Sequence, residues 1–233
     1  MLDMEVEQGR IAGIIGPNGA GKSTALNMIG GTLLPSKGKI VYNGRDISRT
    51  PMHRRAQYGI GRVFQENLLF KGFTALENVL VGFHLQRGKG LSSIFMNTPF
   101  GRGAETALQE KAREILAFVG LESSADESAN DLPHGKQRLL CLAVALAVQP
   151  RLLLLDEPLT GMNAVEVDNM LALIRALKKE KGTTCIIIEH NMRAVMGLCD
   201  RITVLNFGRK IAEGTPEEIL NNPLVAEAYL GAD

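Results

Sequence analysis

Apolar residues along this chain follow two periods, and the places where one gives way to the other mark its elements. A short apolar run at 11–15 is followed at once by a glycine-rich stretch at 16–21 and a helix-compatible segment at 23–29, which predicts strand, loop and helix in that order. Three further runs, 152–155, 184–188 and 202–205, are apolar at consecutive positions, as expected of strands buried on both faces. Helical spacing places Leu108, Ala112, Ile115, Leu116 and Val119 on one face, with Gly120 set to end that helix. A second amphipathic helix is predicted after Asn163, with Val167, Met170, Leu171, Ile174 and Leu177 on its apolar face and Glu166 completing a capping box. Lys178, Lys179 and Lys181 favour its negative end, and Gly182 closes it. Strands alternating with helices predict a mainly parallel sheet covered by helices, an α/β fold. Residues 66–131 carry mostly helical signals and read as a helical insertion, interrupted by an exposed loop at 87–103. Residues 1–65 and 132–233 then form the α/β core of one domain.

Composition narrows the class. The 233 residues are 45% hydrophobic, ample for a core, and 26 Lys and Arg against 25 Asp and Glu leave a net charge of +1. No global positive field recommends nucleic acid as a partner. The longest apolar run, 139–148, is well short of the ~20 residues of a membrane span and reads as a buried helix. The first eight residues alternate acidic and apolar with no basic start, unlike a targeting segment. Cys141, Cys185 and Cys199 are odd in number, far apart and in apolar company, so they read as reduced and buried.

The glycine-rich stretch carries chemistry. Gly16, Pro17, Asn18, Gly19, Ala20, Gly21, Lys22 and Ser23 satisfy the phosphate-loop pattern between a strand and a helix, the context that pattern requires. Glycines let backbone N–H groups turn inward around a β-phosphate, and the helix presents its positive end to the same anion. Lys22 supplies charge to the β- and γ-phosphates, the Ser23 hydroxyl suits magnesium, and Thr24 is an additional phosphate donor. Four leucines at 152–155 end in Asp156 and Glu157, which places two carboxylates at the sheet's carboxyl edge, where ligands of open α/β sheets bind. Asp156 is expected to hold magnesium through water, and Glu157 to polarise a water for in-line attack on the γ-phosphorus.

These elements resemble the ATP-binding cassette ATPases of membrane transporters. Leu132, Pro133, His134, Gly135, Lys136 and Gln137 resemble that family's signature loop, whose usual form is Leu-Ser-Gly-Gly-Gln. Gln65 is similar to the lid glutamine that also reaches the metal, residues 159–163 to the dimer-contact loop, and His190 to the switch histidine. The resemblance covers essentially the whole chain. It implies a Mg2+-dependent ATPase that forms a homo- or heterodimer with another cassette subunit, each ATP held between one phosphate loop and the partner's signature loop. It also implies transmembrane permease subunits docked near Gln65, a periplasmic or extracellular solute-binding protein acting indirectly, and a peripheral position on the cytoplasmic face of the inner membrane. Residues 70–79, 94–100 and 222–231 resemble ATPase subunits of branched-chain amino-acid importers, with urea importers and the lipopolysaccharide export ATPase as alternatives.

Two departures from the family pattern stand out. Pro133 occupies the position of the signature serine and has neither a hydroxyl nor an N–H for the partner's γ-phosphate, a loss of about 1.5 to 3 kcal/mol. Family members carry about forty residues before the phosphate loop, with an aromatic that stacks on adenine, whereas fifteen precede Gly16 here and the first aromatic is Tyr42. The resemblance therefore implies a truncated N-terminal antiparallel β part. It also leaves open a degenerate cassette that binds nucleotide in a regulatory or structural role.

Overall fold

The computed structural model describes residues 2–87 and 99–230. Its centre is a six-stranded sheet in the order β4-β5-β6-β1-β7-β8, formed by β1 (Ile11–Ile15), β4 (Ile60–Val63), β5 (Leu152–Asp156), β6 (Thr184–Ile188), β7 (Arg201–Asn206) and β8 (Arg209–Gly214). All neighbours are parallel except β7 and β8, which form an antiparallel hairpin. A separate two-stranded piece joins β2 (Val41–Tyr42) to β3 (Arg45–Asp46). The consecutive leucines of β5 divide between two cores. Leu153 and Leu155 pack into one with Ile187 and Val204, while Leu152 and Leu154 pack into the other with Ile186 and Leu26. A strand sandwiched in this way has no solvent face, so its sequence shows no alternation.

Helices cover both faces. The phosphate-loop helix α1 (Lys22–Gly30) packs on one side through Ala25 and Leu26. The short α2 (Met52–Gln57) leads into β4. On the other side lie α3 (Ala75–Arg87), α4 (Pro99–Phe118), α5 (His134–Ala147), α6 (Ala164–Lys181) and α7 (Met192–Leu198). Two short helices, α8 (Pro216–Leu220) and α9 (Pro223–Leu230), follow β8. The capping box at the start of α6 is formed as its sequence predicts: the Asn163 side chain accepts from Glu166 N, and the Glu166 side chain accepts from Asn163 N. Gly182 ends the helix in the left-handed region at φ 62°.

The stretch 87–103 is not one continuous loop: α3 runs to Arg87 and α4 begins at Pro99, so its last residues are helical. Proline is well tolerated in a helix's first turn, where its missing N–H would have no intrahelical acceptor. Residues 88–98, including 94–98 of the importer-like segment, lie outside the described residues. No described helix is long and apolar enough to cross a membrane.

Candidate functional site

The carboxyl ends of β1, β4, β5 and β6 gather the motif residues. The phosphate loop leaves β1 at Gly16, whose φ of 146° is open only to glycine and where an added Cβ would come within 2.0 Å of Leu205 O. It enters α1 through Gly21 in the left-handed region, without a side-chain cap, so the first N–H groups of α1 are left to an external acceptor. Lys22 Nζ donates to the carbonyls of Gly16 and Pro17 at 2.7 and 2.9 Å, which holds the ammonium across the loop. Burial lowers the Lys22 pKa from its ordinary value, and the charge of Glu157 opposes that shift. The β7–β8 turn braces the loop from below, with Gly208 N donating to Ala20 O at 2.9 Å. Ser23 and Thr24 are exposed at the start of α1.

Glu157 is the hub of the site. Gln65 Nε2 donates to its Oε2 at 2.9 Å, and His190 Nε2 lies 2.8 Å from its Oε1. With Glu157 as a carboxylate it accepts both bonds, so His190 carries its hydrogen on Nε2. Three residues far apart in sequence, at the ends of β4, β5 and β6, thus meet at one carboxylate. Glu157 itself has φ 49°, a left-handed backbone costly for a side chain of its size. Its N–H donates to Ile188 O at 2.9 Å, which anchors this conformation to β6.

Asp156, one residue earlier, points elsewhere. Its side chain is 6% exposed, and its Oδ2 accepts from Arg62 Nη2 at 2.9 Å. Glu189 is likewise buried. It accepts from the N–H groups of Leu159 and His190 at 2.8 and 3.1 Å, joining the loop after Glu157 to the residue that carries the histidine. Desolvation raises the Glu189 pKa despite these bonds.

The segment 132–137 shares no described hydrogen bond with Gln65, Glu157 or His190. Pro133 is the N-cap residue of α5 and provides no side-chain cap. Leu132 and Gly135 are buried, while Pro133 and His134 are exposed. Lys136 donates to Ser124 Oγ at 2.8 Å, and Gln137 bonds to Leu132 O and Asn67. Among the described residues, no hydrogen bond or ion pair joins this segment to the phosphate loop. A cleft of about 750 Å3 lies at the opposite end of the strands, beside Gln8, Arg151 and Thr183, and contains none of the motif residues.

A family model described as ABC transporter matches residues 1–160, over half of the chain. The chain belongs to this family. A second model, Branched-chain amino acid ATP-binding cassette transporter, matches residues 209–233 of the cassette. The cassette is 41% identical to the high-affinity branched-chain amino acid transport ATP-binding protein BraF of Pseudomonas aeruginosa, across 99% of this chain and 90% of that protein. It superposes on the ADP conformation of MJ1267, an ATP-binding cassette of an ABC transporter, with a TM-score of 0.83 and 33% identity, covering 97% of this chain and 89% of that one. It also superposes on a dimeric post-hydrolysis state of the cassette MJ0796 bound to ADP and Pi, with a TM-score of 0.77 and 26% identity over 91% and 88% of the two chains.

The donor set of this ABC cassette fits magnesium. Asp156 Oδ1 is buried and has no hydrogen-bond partner, and Ser23 offers a hydroxyl. From the sequence alone, Arg62, Glu189 and Arg138 carry no assigned role. Arg138 donates to the backbone carbonyl of Gln65 at 2.5 Å, so α5 holds the glutamine segment in place. The signal available for Arg62 was a cation inside an otherwise apolar strand.

Proposed function

We propose that this ABC cassette is the Mg2+-dependent ATPase subunit that powers a branched-chain amino-acid importer. The observation that carries this reading is the convergence of Gln65 and His190 on Glu157, at the sheet edge that also holds the phosphate loop. Residues 16–24 bind the triphosphate through backbone N–H groups, Lys22 and the helix start. Ser23 and Asp156 would hold a magnesium ion, with Gln65 beside them as a further oxygen donor, and the ion would supply positive charge to offset that of the phosphates. Glu157 accepts a proton from the attacking water. His190 fixes the carboxylate from one side and Gln65 from the other, which holds the base in one orientation.

The likeness to a dimeric cassette bound to ADP and Pi supports a dimer with a second cassette, in which residues 132–137 meet the partner's nucleotide. Pro133 brings no donor to that contact, which favours pairing with a cassette that has a complete loop. Leu68, Phe70 and Phe73 are exposed next to Gln65, with the two rings stacked at 5.4 Å, and offer an apolar seat to permease subunits on the cytoplasmic face of the membrane. The match at 209–233 and the likeness to BraF support branched-chain amino acids as the cargo of the assembly.

The test is transport by the assembled complex. Proteoliposomes containing this cassette, its partner cassette and the permease subunits, supplied with solute-binding protein, should take up leucine, isoleucine or valine only with ATP inside. Uptake that is independent of this cassette, or absent for all three amino acids while ATP is consumed, would overturn the cargo assignment.

A further inference from the structure

Arg62 lies within β4, paired in register with Leu154 of β5, and its side chain is 8% exposed. Its guanidinium is anchored on several sides. Nη2 donates to Asp156 Oδ2 at 2.9 Å and to Asn27 Oδ1 at 2.7 Å, and Nη1 donates to Thr32 Oγ1 at 3.2 Å. The group lies over the Phe64 ring, 4.5 Å from its centroid. Behind it, α1 comes so close that a Cβ on Gly30 would sit 3.1 Å from Nη1. A planar fork held in this way cannot follow a moving carboxylate; it fixes one.

The fork engages only one of the two Asp156 oxygens. Oδ1 is buried and has no hydrogen-bond partner. An Asp carboxyl otherwise turns broadly about its last torsion and exchanges its oxygens. The contact with Arg62 removes that freedom. It also connects the carboxylate, through Asn27, to the helix that starts at the phosphate loop.

We propose that Arg62 is a positioning residue for the metal: it pins Asp156 Oδ2 so that Oδ1 is the oxygen offered to magnesium and its water shell, in a fixed relation to α1. The proposal rests on the reading of Asp156 as a magnesium-holding residue. Lysine in place of Arg62 keeps the charge but loses the Nη1 contact with Thr32 and the planar group over Phe64, so nothing holds its ammonium in one orientation against Asp156.

The test measures binding of a fluorescent, non-hydrolysable ATP analogue to the full chain, once in EDTA and once in Mg2+. The ratio of the two dissociation constants isolates the metal's contribution. Arg62→Lys should reduce that ratio by about tenfold while leaving affinity in EDTA within about twofold of wild type. Asn27→Ala, which keeps the ion pair and removes the second acceptor on Nη2, should reduce the ratio in the same direction and supplies the test if Arg62→Lys does not fold. A ratio that changes by less than about twofold in the folded variants, or a loss of affinity that is equal with and without metal, overturns the positioning role. A wild-type ratio of one would instead overturn the magnesium reading of Asp156, and this proposal with it.

Discussion

Glu157 occupies a backbone conformation that only its surroundings make tolerable, and several other residues of this cassette are set in the same way by burial. Cys185 and Cys199 have their pKa values pushed up to about 12 and Cys141 to about 11, in each case chiefly by desolvation. All three thiols are buried, so a thiol reagent at pH 8 should label none in the native protein and all three after denaturation. The sign for stability follows from linkage. Unfolded thiols lose their protons near pH 8.5 to 9 while the folded chain keeps them. Each thiol should therefore cost about 1.4 kcal/mol of stability per pH unit from there up to its folded value, seen as a lower urea midpoint at pH 10 than at pH 8. Glu189 makes a different prediction. Glu189→Ala leaves the N–H groups of Leu159 and His190 without their acceptor, at about 1 to 3 kcal/mol, and should also slow turnover because the loop after Glu157 loses its tie to His190. At this scale the sequence made the phosphate loop, Asp156 and Glu157 legible because glycines and paired acids stand out locally. Arg62, Arg138 and Glu189 were not legible, since their partners lie 94, 73 and 30 residues away.

Elements were legible where burial imposed a period. β1, β5, β6 and β7 are covered on both faces and read as continuous apolar runs, while α4 and α6 show clear apolar stripes. β8 was not legible: it is a half-exposed edge strand whose sequence Arg-Lys-Ile-Ala-Glu-Gly offers no clean alternation. β4 was hidden by Gly61 and Arg62, both there for close contacts rather than for strand propensity. Gly61 admits Ala145 O and Pro150 against the strand, where an added Cβ would meet each at 3.0 Å. Two substitutions test how the elements are joined. Arg55 is fully buried and donates to the carbonyls of Met28, Ile29, Ile47 and Thr50, tying the end of α1 to the segment after β3. Arg55→Met should cost at least about 3 kcal/mol by leaving those acceptors unpaired, measured as a fall in urea midpoint. Gly82 lets α3 lie against α5; an added Cβ would meet Val144 O at 2.6 Å and Ala147 Cβ at 2.7 Å. Gly82→Ala should destabilise by about 1 to 3 kcal/mol through overpacking, with a lower melting temperature.

For the whole molecule, the parallel sheet sends four strand ends to one edge, and nucleotide chemistry is concentrated there. The helices α3 and α4 and the segment 132–137 stand on the flank, where Arg138 of α5 bonds to Gln65. Under the proposed function, this arrangement links the nucleotide site to the exposed Leu68, Phe70 and Phe73. Two-body features, such as the contact proposed for Pro133, are not written in the folding of one chain, because such contacts lie across an interface. The claim on which the rest depends is that Glu157 acts as base on a nucleotide held by the phosphate loop. It is tested most directly by single-turnover phosphate release from pre-bound Mg-ATP in the assembled complex, comparing wild type with Glu157→Gln. The account predicts ATP affinity within about twofold and release slowed by at least about a hundredfold. Equal release rates from equally loaded proteins would contradict it.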